Sequence, residues 1–446
     1  MTIASHDLAP LRSAVAGPVV GPDDDGWDAA RQAWNLTADL RPAAVAFADS
    51  ADDVAAVVNF ARERGLRVAA QGTGHGAAAL GSLDGVVVLK TERMRGVSVD
   101  PAERRARVEA GALGGDLGPA AGEHGLTSLS GSSPDVGVVG FAIGGGIGWL
   151  SRRHGLTCNT ITAAELVTAD GEQVRADADQ NTDLFWALRG GGGDFGIVTA
   201  LELELFPIAQ VYAGSLMWPA EHGTEILPAY LDWLRTIPDE VTTGIRFLYL
   251  PPIPEVPEPL RGVPVIDVTG AFIGDAAEGA ALLDPLRSLA TPLIDGWEEM
   301  PATGLSRING DPEQPTPGLT HYTVVGDLDA EAAEAIIEVG GPESGTPLLM
   351  VGTRHLGGAL GTVEGEHVVM GVGAVMAPEM APGITTALDA VVAATAPWAT
   401  GSDYLNFADR PSDASRAFDD ETYRRLLEIK GAVDPDGLFV AAHPVV

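Results

Sequence analysis

Val68-Ala69-Ala70-Gln71-Gly72-Thr73-Gly74-His75-Gly76 decides how this chain reads. A short apolar strand, Leu66–Ala70, runs into glycines that bracket a single histidine, His75. Glycine lets backbone N–H groups close on a phosphate and form an anion-binding concavity, which a Cβ would obstruct. A bare phosphate cradle does not require a histidine. His75 therefore points to a nucleotide cofactor whose reactive ring lies near the imidazole.

Working outward, Ser50-Ala51-Asp52-Asp53 has the form of a capping box ahead of the amphipathic run Val54–Arg64. That helix lies between strand-like Ala44–Ala48 and Leu66–Ala70, an α/β alternation. Val86–Leu89, Gly96–Val99 and Ala106–Ala110 read as further strands between turn residues. Ala164–Thr168 and Glu172–Ala176 flank Asp170-Gly171, a hairpin signal. Phe195–Phe206 alternates apolar and polar residues and ends the first region at Pro207. From Ile208 the character changes. Strand-like Gly244–Leu250, Val263–Ile273, Thr323–Val325, Pro347–Thr353 and His367–Met376 alternate with Ala-rich helices expected at Ala220–Thr236, Asp275–Ala290, Ala330–Val339 and Pro382–Ala396. Pro251–Pro264 reads as a loop or an edge connection, and Asp420–Gly431 as a helix near the end.

The chain has 446 residues, more than one core usually holds, so two domains are expected. With 46% hydrophobic and 20% charged residues it falls in the globular class. A net charge of −35 repels nucleic acid and anionic membranes, so neither is an expected partner. It also means that an anionic cofactor has to be held by backbone dipoles or a local positive pocket. No run approaches the ~18 apolar residues of a membrane span. Met1–Gly17 lacks a charged and then apolar leader, and the one cysteine, Cys158, cannot form an internal disulfide. A reducing, cytoplasmic setting is the expectation. There is no H-E-x-x-H, C-x-x-C or G-x-S-x-G, and the nine histidines show no ligand spacing, so no metal site is expected.

Two further glycine clusters stand out, Gly137–Gly148 and Gly190–Gly193, the second followed by Asp194-Phe195-Gly196-Ile197-Val198. Taken alone, the first reads foremost as a tight helix–sheet packing seam, with a cofactor contact as the lesser alternative. Four successive glycines are costly as plain structure. Neither cluster ends in the Lys-Ser/Thr of a P-loop or clearly opens a helix in G-x-G-x-x-G register. A nucleotide hydrolase and a Rossmann site are both poorly supported.

Taken in order, Q-G-T-G-H-G, then G-S-S-P-D-V-G-V-V-G-F-A-I-G-G-G-I-G-W-L-S-R-R-H-G-L, then D-L-F-W-A-L-R-G-G-G-G-D-F-G-I-V-T, then Tyr404-Leu405-Asn406 resembles the berberine-bridge-enzyme-like flavin oxidoreductases. These have an FAD-binding fold of vanillyl-alcohol-oxidase type. The likeness is dense from Arg41 to Phe206 and looser from Tyr404. It implies an α+β fold, with a two-subdomain FAD-binding domain over residues 1–206 and 404–446. A substrate-binding domain over 207–403 would carry an antiparallel sheet covered by helices.

The resemblance further implies FAD, with its pyrophosphate on Gly72, Thr73, Gly74, His75 and Gly76, and His75 bonded to the flavin 8α-methyl. Ser130, Gly131, Ser133, Val136, Gly137, Gly140 and Gly145 would line the flavin and ribityl side. Gly196 and Val198 would meet the adenine or pyrophosphate end. Doubly linked members carry a cysteine where Ser133 stands, and a serine lacks the thiolate. Attachment through His75 with no cysteinyl link is expected, and Cys158 is expected to be a packed, inert thiol. Gln71 stands where many relatives have arginine, which weakens the positive charge near the phosphates.

Tyr404 and Asn406 match a Y-x-N motif that faces the flavin in relatives, and Tyr404 is the expected base. An ordinary tyrosine pKa is near 10, so that role requires nearby positive charge or polarisation. Tyr322 is a further catalytic candidate. Tyr249, His321, Arg354 and His355 lie on or beside expected strands, where core or surface duty is the simpler reading. His154 and Trp149 read as packing. The implied activity passes a hydride from a small alcohol, amine or secondary metabolite to flavin N5, with dioxygen as acceptor and hydrogen peroxide as product. The alternative is a cyclase or rearrangement catalyst of the same fold with no net redox.

Overall fold

Ser50 follows the strand Ala44–Phe47 by three residues and starts the first long helix. Its Oγ accepts the Asp53 N–H at 3.3 Å, and the helix runs Ala51–Glu63 in the computed structural model, which describes residues 7–254, 256–360 and 363–446. Residues 1–6 of the Met1–Gly17 segment lie outside the described residues. The helix begins at Ala51 rather than Val54, because the cap and not the apolar period sets its first turn. Such a cap contributes about 1 kcal/mol. Val54, Val57, Val58 and Ala61 form the buried stripe. They pack on a sheet ordered Val19–Val20, Ala44–Phe47, Val86–Lys90, Arg67–Gln71, whose last three strands are parallel.

A second sheet is antiparallel, in the order Val97–Asp100, Arg105–Glu109, Ile197–Glu204, Ile161–Val167, Gln173–Asp177. The Asp170-Gly171 hairpin turns as expected, with Gly171 at φ +80°. A Cβ on Gly196 would lie 2.6 Å from Leu166 Cδ1, so glycine is what lets the next strand begin so close to its neighbour.

The third sheet lies within residues 210–374. Its main strands run in the order Gln210–Pro219, Val265–Phe272, Val241–Leu248, Met350–His355, His367–Ala374, Gly318–Val325, each pair antiparallel. Four helices, Gly223–Leu234, Ala276–Arg287, Ala330–Gly340 and Ala381–Thr395, follow the expected Ala-rich runs. Leu216, Trp218, Ile245, Phe247, Val268 and Val351 pack with Ile226, Tyr230, Ile336 and Leu388 from these helices in one core. Because strand side chains alternate in direction, the other face carries Ser215, Asp267, Arg246, Arg354, Met370 and Tyr322. The strand Gln210–Pro219 is absent from the sequence reading. Gly214 interrupts its pattern, at φ +151°, where a Cβ would lie 2.2 Å from Gly296 O.

Among the described residues no helix is long and apolar enough to cross a membrane, and no cluster of His, Cys, Asp or Glu is placed to hold a metal ion.

Arg152 ties the third sheet to the rest. It sits in the short helix Ser151–His154 and is 5% exposed. Its Nε donates to Leu356 O at 2.8 Å, Nη1 to Val241 O at 2.6 Å and to Pro238 O at 3.1 Å, and Nη2 to Asp239 at 3.1 Å. Arg152→Ala leaves the buried Leu356 and Val241 carbonyls without this donor. It should cost about 3 kcal/mol, read as a lowered urea-unfolding midpoint; an unchanged midpoint would show the contacts to be idle.

Candidate active site

The strand Arg67–Gln71 delivers the glycine loop over one end of the second sheet. A Cβ on Gly72 would lie 3.7 Å from Ala110 O, and the Ala110 N–H donates to Thr199 O at 2.9 Å. Gly196 and Val198 therefore sit near this end, one strand over. The loop carbonyls are taken: Trp34 N–H donates to Thr73 O at 3.0 Å and Asn35 N–H to Gly74 O at 3.3 Å. Among the described residues, the N–H groups of Gly72, Thr73, Gly74, His75 and Gly76 donate to no protein acceptor. Gly74 is held at φ +91°, and an added Cβ on Gly76 would meet nothing within 4 Å. The loop is a row of N–H groups without protein acceptors among the described residues, open at Gly76 and packed on Ala33 and Gln71 at Gly74.

His75 stacks on Trp34, ring centroids 3.9 Å apart, and its Nε2 lies 3.6 Å from Asp135 Oδ2. Asp135 Oδ1 accepts the Ser133 hydroxyl. Burial pushes the Asp135 carboxyl up, but His75 and Ser133 outweigh it and hold the group below the usual carboxylate range. An anion on this side favours the tautomer with its proton on Nε2, which leaves the lone pair on Nδ1. Asp409 lies on the same imidazole's electrostatic horizon. Burial pushes its carboxyl up to about 6 against the pull of Thr320 and His75.

The segment 130–140 closes against the loop. Ser130 Oγ and Ser128 Oγ are 2.7 Å apart, and Gly114 N–H donates to Val136 O at 3.0 Å. Gly137 caps the helix Val138–Ile143, and a Cβ there would lie 3.9 Å from Thr73. Gly140, one turn on, has nothing within 4 Å of its Cβ position, and Gly131 packs under the Phe141 ring. Ser130, Gly131, Ser133, Val136 and Phe141 line one narrow cleft.

Tyr404 and Asn406 come back from the distant end of the chain onto this segment. A Cβ on Gly144 would lie 1.9 Å from Asn406 Oδ1, and one on Gly145 would lie 3.1 Å from Tyr404 Cε2. Asn406 Nδ2 donates to Phe141 O at 2.9 Å. The Tyr404 hydroxyl is buried with no hydrogen-bond partner. Burial pushes its phenol up, while the backbone of Gly146 and Ile147 and the Arg354 charge pull it down; burial wins. Tyr322 OH accepts the Tyr404 N–H at 3.1 Å, so it supports Tyr404 through the backbone.

Other sequence candidates separate clearly. Tyr249 OH donates to Gly340 O at 2.7 Å, and His321 Nδ1 lies 2.9 Å from Asp389. His355 stacks on His367 at 5.2 Å, and His154 lies 4.5 Å from Phe206. Cys158 is buried, and that burial pushes its thiol up to about 11, which makes it unreactive. Arg354 differs: it lies over the Trp149 ring at 4.1 Å.

Gln71 Oε1, Trp34 Nε1, His75 Nε2, Asp135 Oδ2 and Tyr404 OH are all buried without a hydrogen-bond partner. An unmet buried polar group costs about 1–3 kcal/mol. Beside a row of free N–H donors, this set fits a large polar ligand with phosphates, hydroxyls and a heteroaromatic ring, as FAD has. Asp135 and Trp34 were not among the site residues read from sequence. Ser133-Pro134-Asp135 offered a turn signal for the first; the stack on Trp34 had none.

Residues 42–177 match the FAD binding domain family. The chain is 28% identical over 447 residues to the (R)-6-hydroxynicotine oxidase of Paenarthrobacter nicotinovorans, covering 96% of each. The solved 6-hydroxy-D-nicotine oxidase of Arthrobacter nicotinovorans shares the fold at a TM-score of 0.83 and 27% identity, over 97% of this chain and 98% of that one. The glucooligosaccharide oxidase of Sarocladium strictum is 34% identical over 275 residues, which is 60% of this chain and 52% of that protein. A BBE-like 1 variant of Physcomitrella patens, at 22% identity and a TM-score of 0.82, covers 98% of each chain and shows the fold. With a matching FAD-binding domain, a full-length oxidase relative and a cradle that fits the cofactor, the chain is an FAD-linked oxidoreductase acting on a small molecule, similar along its length to the nicotine oxidase and sharing its fold with the BBE-like protein.

Proposed function

We propose that the protein is an oxidase of a small alcohol, amine or secondary metabolite, in which residues 1–206 and 404–446 hold FAD and residues 207–403 roof the substrate. The observation that carries this reading is the convergence of the free N–H row at 72–76, the Asp135–His75 pair and the unpartnered Tyr404 hydroxyl. Relatives named for 6-hydroxynicotine and for glucooligosaccharides support a small organic substrate. FAD held by these residues would supply a hydride acceptor at N5, with dioxygen as the electron acceptor and hydrogen peroxide as the product of an oxidase.

The chain's own part is binding, orientation and proton handling. On a protein of charge −35, the N–H groups of Gly72 to Gly76 are the means of holding a pyrophosphate. Gly196 and Val198 flank its adenine or pyrophosphate end. Ser130, Gly131, Val136, Gly137, Gly140 and Gly145 offer backbone and small side chains to the ribityl and ring. His75, stacked on Trp34 and faced by anionic Asp135, is the attachment point for the 8α carbon. Ser133 spends its hydroxyl on Asp135 and has no thiol to offer, which supports a single tether. Tyr404 takes the substrate proton, Tyr322 holds its backbone, and Asn406 fixes the turn to Phe141. A cytoplasmic location suits the one reduced, buried cysteine.

Acid precipitation of the purified protein should give a yellow pellet, and His75→Ala should send the colour into the supernatant. A yellow His75→Ala pellet would remove His75 as the tether. The base form of Tyr404 is the phenolate, and burial holds the phenol above its ordinary range. Anaerobic bleaching of the flavin by substrate should therefore accelerate as pH rises above neutrality. Tyr404→Phe should slow it by about 100-fold and flatten that rise. An unaltered profile in the variant dismisses Tyr404 as base, and turnover with neither bleaching nor peroxide points to the cyclase reading.

A further inference from the structure

Arginines in this protein grip carboxylates by one recurring edge. Nε and Nη2 of Arg107 reach the two oxygens of Glu165 at 2.9 and 2.6 Å. The same edge of Arg95 holds Asp116 at 3.0 and 2.7 Å, and that of Arg287 holds Asp295 at 2.8 and 3.0 Å. On Arg354 the edge is bare. The residue is 9% exposed, and Nε and Nη2 are both buried without a partner among the described residues.

Other buried cations are satisfied. Arg152 has three carbonyls and Asp239. Arg246, on the same sheet face, meets Asp267 and Asn309 O, each at 2.9 Å. Lys90 Nζ donates to Gln32 O at 2.6 Å. Asp311 carries a charge felt by Arg354, but it leans on Arg246 at 4.0 Å, and burial pushes its carboxyl up, toward the neutral form. Arg354 itself is lowered by burial to about 10, which leaves it cationic at neutral pH.

Its position is that of a substrate contact. Arg354 stands opposite Gly244 and Val368 on the polar face of the third sheet, away from the helices. The guanidinium carbon lies over the Trp149 ring at 4.1 Å from its centroid, and Trp149 continues directly from the glycine segment under the Tyr404 ring. The attraction of a cation to an aromatic face helps to hold the fork in place. Arg354 and Tyr404 are close enough for each to shift the other's ionisation.

We propose that Arg354 recognises a carboxylate on the substrate through Nε and Nη2, and so presents the oxidisable carbon to Tyr404. The substrate class is then a carboxylic acid that also carries the alcohol or amine to be oxidised. A planar fork pairs bidentately with a planar carboxylate, and a chain this acidic requires a local cation to admit an anion. The proposal rests on the oxidase reading above, since it takes Tyr404 as the neighbouring reactive group.

The test titrates the yellow holoprotein with benzoate and with its neutral isostere benzamide, read by the flavin difference spectrum and by tryptophan fluorescence. Benzoate should bind at least about tenfold more tightly than benzamide. Arg354→Met should erase that preference while leaving benzamide binding unchanged, and Arg354→Lys should restore part of it. Equal binding of the two probes by the wild type overturns the proposal without any variant. So does a full benzoate preference in Arg354→Met, or a variant whose ligand-free flavin spectrum shifts while the preference stays, because the fork would then face the cofactor. A preparation with no flavin sinks the oxidase reading instead, and the fluorescence titration still reports separately on the carboxylate.

Discussion

The site depends on a strip of backbone that has no room for side chains. At Gly144 a Cβ would lie 1.9 Å from Asn406 Oδ1, at Gly146 2.6 Å from Thr157 Cβ, and at Gly148 2.2 Å from Ser130 O. Gly145 and Gly146 also hold φ of +121° and +83°, which L side chains rarely adopt. Three distant parts of the chain are thereby drawn onto one strip: the Ser130 loop, the turn Thr157–Thr160 and the Tyr404–Asn406 segment. Thr157 and Cys158 return N–H bonds to Gly146 O and Gly145 O at 2.9 and 2.8 Å. Flexible glycines cost order on folding, and here the order is recovered by contacts that no larger residue permits. Displacing that strip by an ångström would move the Tyr404 hydroxyl, Trp149 and the loop around Ser130 together, and reacting groups tolerate little such displacement.

Charge is managed locally against a strongly acidic whole. The expected phosphate contacts use backbone dipoles, because Gln71 offers no cation where the strand enters the loop. Around His75 two carboxyls are pushed apart: Asp135 is held low by His75 and Ser133, whereas burial raises Asp409 to about 6. The imidazole thus faces a fixed anion in Asp135, while Asp409, within its electrostatic reach, keeps its proton more readily. Separation of this kind gives neighbouring acids different tasks.

Much of the fold was legible because its signals are local. Ser50 caps the helix it introduces, Asp170-Gly171 turns the hairpin it marks, and the Ala-rich runs become the helices over the third sheet. Thr323–Val325 lengthens to Gly318–Val325 because strand pairing with His367–Ala374 recruits residues whose own pattern is mixed. Gln210–Pro219 was illegible for the opposite reason, since its glycine serves the approach of Gly296 and breaks the alternation. The glycine clusters announced close contact but not with what. That Asn406 would fill the space over Gly144, or that Trp34 would stack on His75, depends on chain segments hundreds or tens of residues away. Arg354 read as ordinary because its significance is a missing partner, and no sequence window records one.

The third sheet shows why that missing partner matters. A sheet covered on both faces can carry polar residues only if their bonds are met. On one half of the polar face they are: Asp267, 0% exposed, accepts from Ser215, from Thr269 Oγ1 at 2.8 Å and from Arg246 Nε at 2.9 Å, and Arg246 continues to Asn309 O. This network is closed and has little left to offer a ligand. Moving across the face to the strand Met350–His355, the pattern stops, and Arg354 presents two buried donors with nothing to receive them. Both arginines come from one sheet and one face, so burial alone does not separate them. What separates them is that the bare one lies against Trp149 and within electrostatic reach of Tyr404. The closed half of the face serves stability, and the open half is where a substrate can still complete a bond.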